Sequence, residues 1–336
     1  MEAPKLVSTL FLTIIIFVST CPNPFLSAQL CHPKDKNVLL QIKKAFKDPY
    51  TYASWDTSSD CCDWYGVECH EKTHQVISLS ANNGDLSGPI PPQVAELPYL
   101  QYLDFHKQPN ITGPIPTAIA KLKNLKSLSI TWTKITGPIP DFLGQLKNLD
   151  FIALSYNSLT GPIPSSIGLL PKLTGLRLDR NKLTGPIPDT FGQFKGNDFY
   201  LYLSHNQLSG KIPVSLGNKE FTYVDLSRNK LEGDASFLFG SGKTTVQHVD
   251  LSRNLLEFDL SKVEFPKSLI FLDLNHNKIS GTIPAGLTVP EFQQFNVSYN
   301  RLCGKIPVGG SLQKFDYSAY FHNLCLCGAP LDQKCK

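Results

Sequence analysis

The chain has 336 residues with a formal net charge of +4, and it holds 25 prolines and 23 glycines but a single methionine. So many turn formers in so long a chain point away from long helices and from one globular core. The charge excess is too mild for a nucleic-acid binder, although local basic columns could still meet an acidic polymer.

The amino terminus reads as a secretory address. Lys5 precedes the apolar run from Leu6 to Val18, too short for a membrane span, and Ser27-Ala28 offers small residues for cleavage. Residues 1–28 are therefore expected to be a signal peptide that removes Cys21. The remainder is expected to be secreted, with no membrane anchor.

Residues 29–75 read as a cap. In DKNVLLQIKKAF, Asp35 is the expected N-cap of a helix that buries Val38, Leu39, Ile42, Ala45 and Phe46, with Trp55 and Trp64 completing the lid. Beyond Cys21 the cysteines form two terminal groups: Cys31, Cys61, Cys62 and Cys69, then Cys303, Cys325, Cys327 and Cys335. Even numbers in a secreted chain point to four disulfides. Spacing leaves connectivity open; local pairing (31–61, 62–69, 303–325, 327–335) is the most economical arrangement.

Residues 76–307 repeat themselves. VDLSRNKLEG at Val224 returns as VDLSRNLLEF at Val249, and glycines at 88, 113, 137, 161, 185, 210, 233, 281 and 304 mark units of 23 to 25 residues, with Phe258 in one glycine slot. LDFIALSYNSLTGPIP, from Leu149, gives the template L-x-x-L-x-L-x-x-N-x-L-x-G-x-I-P, a leucine-rich repeat with a G-x-I-P extension. The expected fold is an α/β solenoid, a right-handed superhelix with a concave parallel sheet. Ten strands about 4.8 Å apart would span about 43 Å. Proline on the convex side favours 3-10 or irregular turns over helices. Asn157, Asn181, Asn206, Asn229, Asn254, Asn277 and Asn300 should stack and satisfy backbone groups, whereas Gly84 and Thr133 interrupt the slot and HKQPN carries an extra residue. Residues 308–336 form the second cap.

Three motifs imitate catalytic sites. HEKTH at His70 has metalloprotease spacing but runs from Cys69 straight into a strand-like segment, leaving no helix to present both histidines. FGSGKTT at Phe239 resembles the end of a phosphate loop but has Phe237 where the first glycine belongs. Paired aspartates could suggest glycoside hydrolysis, yet stacked aspartates on successive strands more commonly make a solvated or binding face. No cofactor is expected.

Counted back from the asparagine slot, other positions should point outward. Six before it stand Tyr102 (counted from its strand), Phe151, Tyr200, Tyr223, His248 and Phe271, with Gln247 beside them. Four before it stand Tyr202, Asp225, Asp250 and Asp273. Immediately before it come Trp132, Tyr156, Arg180, His205, Arg228, Arg253, His276 and Tyr299. Aromatics interleaved with Arg and Asp on a rigid concave sheet fit a protein interface; the alternative is a merely solvated sheet. NIT at Asn110 and NVS at Asn296 are glycosylation sequons.

CCDWYGVEC, FHKQPNITGPIP, LRLDRNKLTG, NVSYNRLCGKIP and YFHNLCLCGAPL resemble plant polygalacturonase-inhibiting proteins across the whole mature chain. The resemblance implies a secreted, cell-wall defence protein, not an enzyme. Its concave face would bind fungal endopolygalacturonase and slow pectin cleavage, with basic positions also meeting pectin or oligogalacturonides. By position the implied interface centres on Asp179, Arg180, Asp225, Arg228, Gln247, Asp250 and Arg253. The other reading is an extracellular module recognising a peptide or oligosaccharide, such as a co-receptor-like protein.

Overall fold

The computed structural model describes residues 31–195 and 198–335, so the expected signal peptide and Cys21 lie outside the described residues. The cap helix runs over Pro33–Ala45 after His32. Pro33, already set at a helical φ, starts it earlier than expected, so Asp35 lies in the first turn and is not the N-cap. The Asp35 carboxylate instead accepts the Val76 backbone N–H at 2.9 Å, tying the helix to the first long strand. Val38, Leu39, Ile42 and Phe46 are buried as expected, but Ala45 faces solvent at the helix end. Tyr52, Trp55 and Trp64 stack into the lid at ring separations of 3.8 and 5.6 Å.

Cysteines pair locally, as the spacing favoured: Cys31–Cys61, Cys62–Cys69, Cys303–Cys325 and Cys327–Cys335. HEKTH is the turn between an antiparallel hairpin strand (Val67–Cys69) and its partner (Val76–Asn82), with the His74 N–H donating to the His70 carbonyl at 2.8 Å. From Val76–Asn82 onward the concave sheet is parallel, one strand per repeat to Gln294–Asn296. Leu149, Ile152, Leu154 and Leu159 are fully buried, so each unit closes its core only against its neighbours.

Convex segments are 3-10 turns such as Thr117–Lys121, Asp141–Gln145 and Ser165–Leu169, each preceded by an extended proline. A second parallel sheet of eight strands, absent from the sequence reading, is built from the x-L-x-G segments. There one leucine points inward, and the glycine, at φ near +80° in Gly137 and Gly161, turns the chain toward the convex side. The phosphate-loop look-alike is structural: Lys243 Nζ donates to the Gly217 and Lys219 carbonyls, and Glu220 accepts the Thr244 and Thr245 N–H groups.

From Asn157 onward the asparagine column forms a continuous ladder, while Thr133 before it donates to Asn157 Oδ1. Asn181 Oδ1 accepts the Leu159 N–H at 3.0 Å, while its Nδ2 donates to the Leu154 and Leu178 carbonyls at 2.8 and 3.1 Å. At the start Gln108 makes half a repair, its buried Nε2 having no hydrogen-bond partner among the described residues. It is fully buried, and its Oε1 takes the Leu86 N–H at 3.1 Å. Gly84 is the counterpart of that repair, because a Cβ there would sit 2.8 Å from Gln108 Nε2. Asn323 continues the ladder into the carboxy-terminal cap, accepting the Leu302 N–H at 3.0 Å.

Candidate functional site

Every residue immediately before the ladder slot adopts a left-handed backbone, with φ of 50° to 56° from Lys107 through Trp132, Tyr156, Arg180, His205, Arg228, Arg253, His276 and Tyr299 to His322. That conformation lets consecutive N–H groups address the same neighbour. Arg180 N–H donates to the Ser204 carbonyl at 2.9 Å and Asn181 N–H to the His205 carbonyl at 3.3 Å. A flat strand would alternate these donors between its two neighbours. The kink sends the asparagine inward and leaves the preceding side chain at the rim of the concave face.

Three ring stacks follow, one of them His276–Tyr299–His322 on the rim at 4.0 and 4.3 Å. Trp132, 45% exposed, lies 3.7 Å from Tyr156, over which the Arg180 guanidinium sits at 5.1 Å. Deeper on the sheet, Arg177 covers Tyr202 at 4.7 Å, and Tyr202, Tyr223, His248 and Phe271 stack at 4.2, 3.8 and 3.8 Å. Parallel register enforces this, since Tyr223, His248 and Phe271 are direct cross-strand partners. Burial pushes the His248 imidazole down to about 4, so it stacks as a neutral ring.

Beside the rings runs a row of carboxylates. Asp225, Asp250 and Asp273 are in register, and each accepts the N–H two residues on, from Ser227, Ser252 and Asn275, at 2.9 to 3.0 Å. Burial, and then the Asp225 charge, push the Asp250 carboxyl up to about 7; burial pushes Asp273 up to about 6. Arg228 and Arg253 stand exposed at the rim. Between these rows lies a 420 Å³ concavity walled by Arg177, Tyr202, Asp225, Arg228, Asp250 and Arg253.

Most of the expected residues gather here, with three differences. Asp179 is buried at 6% exposure, accepting a hydrogen bond from the Ser155 hydroxyl, in a row two before the slot that from Thr131 to Ser298 otherwise holds only Ser, Thr or Asn. It lines the concavity floor rather than projecting from it. Tyr102 and Tyr200, 41% and 42% exposed, stand outside that concavity; Tyr102 has the Lys126 ammonium 5.9 Å from its ring. Phe151 is half-buried where Gly175 leaves room for its ring, since a Cβ there would come within 2.6 Å. Gln247 is exposed beside His248. Arg177 was missed, although it falls four before Asn181, in the same column as Asp225.

Fold and face together define a leucine-rich-repeat protein with stapled caps and a polar, aromatic-lined concave surface. Residues 32–70 match the leucine rich repeat N-terminal domain, and 124–146, 148–170, 172–194, 199–219 and 268–289 match the leucine rich repeat. The chain is 63% identical to a polygalacturonase inhibitor of Pyrus communis, over 96% of this chain and 97% of that one. It is 58% identical to one of Vitis vinifera over the full length of both. A solved plant ice-binding protein superimposes with a TM-score of 0.88 at 50% identity, over 91% of this chain and 98% of that one. The chain belongs to the polygalacturonase inhibitor family.

Proposed function

We propose that this protein is a secreted inhibitor of the plant cell wall that seats a fungal endopolygalacturonase on its concave face and so keeps pectin out of the enzyme's cleft. The observation that carries this reading is the in-register row Asp225–Asp250–Asp273 set between a ring stack and the rim arginines Arg228 and Arg253. Such a face offers opposite charges at fixed spacing plus aromatic surface, which orients a partner and supplies anchors. Inhibition is by occlusion and needs no chemistry from the protein. The rim arginines Arg180, Arg228 and Arg253 also present cationic groups to pectin or oligogalacturonides.

The test is an inhibition titration against a panel of fungal polygalacturonases with wild type and an Arg228→Gln/Arg253→Gln variant, at low and raised salt. The reading expects wild-type inhibition of at least one enzyme, weakened in the variant and by salt. A variant as potent as wild type at both salt concentrations would remove these residues from the interface, and no inhibition across the panel would sink the function.

A further inference from the structure

A second cleft, of 460 Å³, opens away from the concave centre, between the amino-terminal cap and the turn that leaves the strand Val76–Asn82. Its size suits a small-molecule site, which commonly measures about 300 to 1,000 Å³. Two tyrosine rings border it: Tyr50, 86% exposed, on the 3-10 turn Tyr50–Tyr52, and Tyr65, 47% exposed. Neither ring belongs to the repeats, and so much exposed aromatic surface at a cleft mouth has no role in closing the core.

The cleft is rigid. Asp85 clamps the turn, accepting the Thr51 hydroxyl at 2.5 Å, the Thr51 N–H at 3.0 Å and the Tyr50 N–H at 2.9 Å. Tyr65 is held from both ends, its N–H donating to Ser54 Oγ at 3.0 Å and its hydroxyl to the Asn82 carbonyl at 3.3 Å. A Cβ at Gly84 would lie 2.2 Å from Thr51 Oγ1, so only glycine lets the cap approach this closely. Among the described residues, the exposed Asn82 and Asn83 side-chain carboxamides have no hydrogen-bond partner in the protein, leaving donors and acceptors for a ligand.

Among the described residues no Lys, Arg or His lines the cleft and its one fixed charge is Asp85, whose carboxyl the Thr51 hydroxyl and N–H hold below the usual carboxylate range. A uronate would meet repulsion here, in contrast to the arginine-rimmed concavity. Exposed ring faces match the C–H face of a pyranose, while free carboxamides and a carboxylate match its hydroxyls. We infer that this cleft binds an uncharged sugar unit of a neutral polysaccharide, giving the protein a hold on the wall separate from its concave face.

Calorimetric titration of the mature protein with cellohexaose and xylohexaose, and with hexagalacturonate as the charged control, tests this without any enzyme. At least one neutral hexaose should bind saturably, and Tyr50→Ala should weaken it about tenfold, the scale of one lost aromatic contact, while Tyr50→Phe retains it. Melting temperature and hexagalacturonate binding should be unchanged in Tyr50→Ala. Absence of saturable binding by both neutral sugars overturns the inference, as does equal binding by Tyr50→Ala or displacement of the neutral sugar by hexagalacturonate. Loss of polygalacturonase inhibition in Tyr50→Ala without any sugar binding would assign the cleft to the protein interface instead.

Discussion

Asp225 and Asp250 stand side by side in register on neighbouring parallel strands, and burial together with that neighbouring charge pushes the Asp250 carboxyl up to about 7. Between its ordinary 3.8 and that value, folded Asp250 keeps a proton that the unfolded chain has released. Its contribution to stability is therefore largest at low pH and is lost as pH rises to about 7. His248, pushed down to about 4, works in the opposite direction, costing stability as pH falls below its ordinary 6.5. Wild type thus mixes two opposing slopes. The melting temperature of Asp250→Asn relative to wild type should climb steadily from pH 4 to pH 7. A difference independent of pH would mean that Asp250 is ionised throughout.

The same proton reports on binding. A partner's ammonium or guanidinium placed against the carboxylate row favours the ionised form, so complex formation below about pH 7 should release protons. Titration calorimetry in two buffers of different ionisation enthalpy reads this directly. Equal apparent enthalpies at pH 6 would show that no partner cation reaches Asp250.

Rim and core should separate cleanly on substitution. Arg228 and Arg253 are exposed, so Arg228→Gln or Arg253→Gln should change stability by no more than about 0.5 kcal/mol. Leu226 and Leu251 are fully buried, and alanine at either should cost about 2 to 5 kcal/mol by urea denaturation.

Removing a rung of the ladder leaves backbone groups unpaired. Asn254 Oδ1 accepts the Leu231 N–H at 3.0 Å, and its Nδ2 donates to the Leu226 and Leu251 carbonyls at 3.0 and 3.1 Å. Asn254→Ala should destabilise by about 2 to 3 kcal/mol in urea denaturation, the scale expected for stranded buried groups. Gln108→Ala should cost less, about 1 kcal/mol, because its carboxamide holds only the Leu86 N–H and its Nε2 is already unpaired. A loss within error at both sites would show water replacing the carboxamides.

Glycosylation should favour one sequon. Asn110 is exposed, whereas Asn296 Oδ1 accepts the Ser298 N–H at 3.0 Å and the Ser298 hydroxyl at 2.7 Å within the concave sheet. Peptide mapping of plant-expressed protein should find Asn110 occupied and Asn296 largely bare; the reverse pattern would place a glycan on the proposed interface.

Much of the outward face was legible because repeat spacing fixes register. Once the asparagine slot is known, counting backward puts Tyr223, His248 and Phe271 in one column and Asp225, Asp250 and Asp273 in another. Arg177 was missed because the four-before column was read only from the Asn206 unit onward. Asp179 entered as an outward residue through the family resemblance alone, and it lies on the concavity floor because two before the slot the chain is already turning. Gln108 escaped because the extra residue in HKQPN hid that a longer carboxamide could reach the Leu86 N–H.

Periodicity and residue type were enough to read the solenoid, its repeat boundaries, the stapled caps and the chemical identity of each column. The second sheet, the left-handed residue before every rung, the raised Asp250 carboxyl and the cleft between Tyr50 and Asn82 came from the folded arrangement. Each of these arises from groups 20 or more residues apart being brought within a few ångströms, where desolvation and neighbouring charge set the energies and a linear pattern carries no record of either.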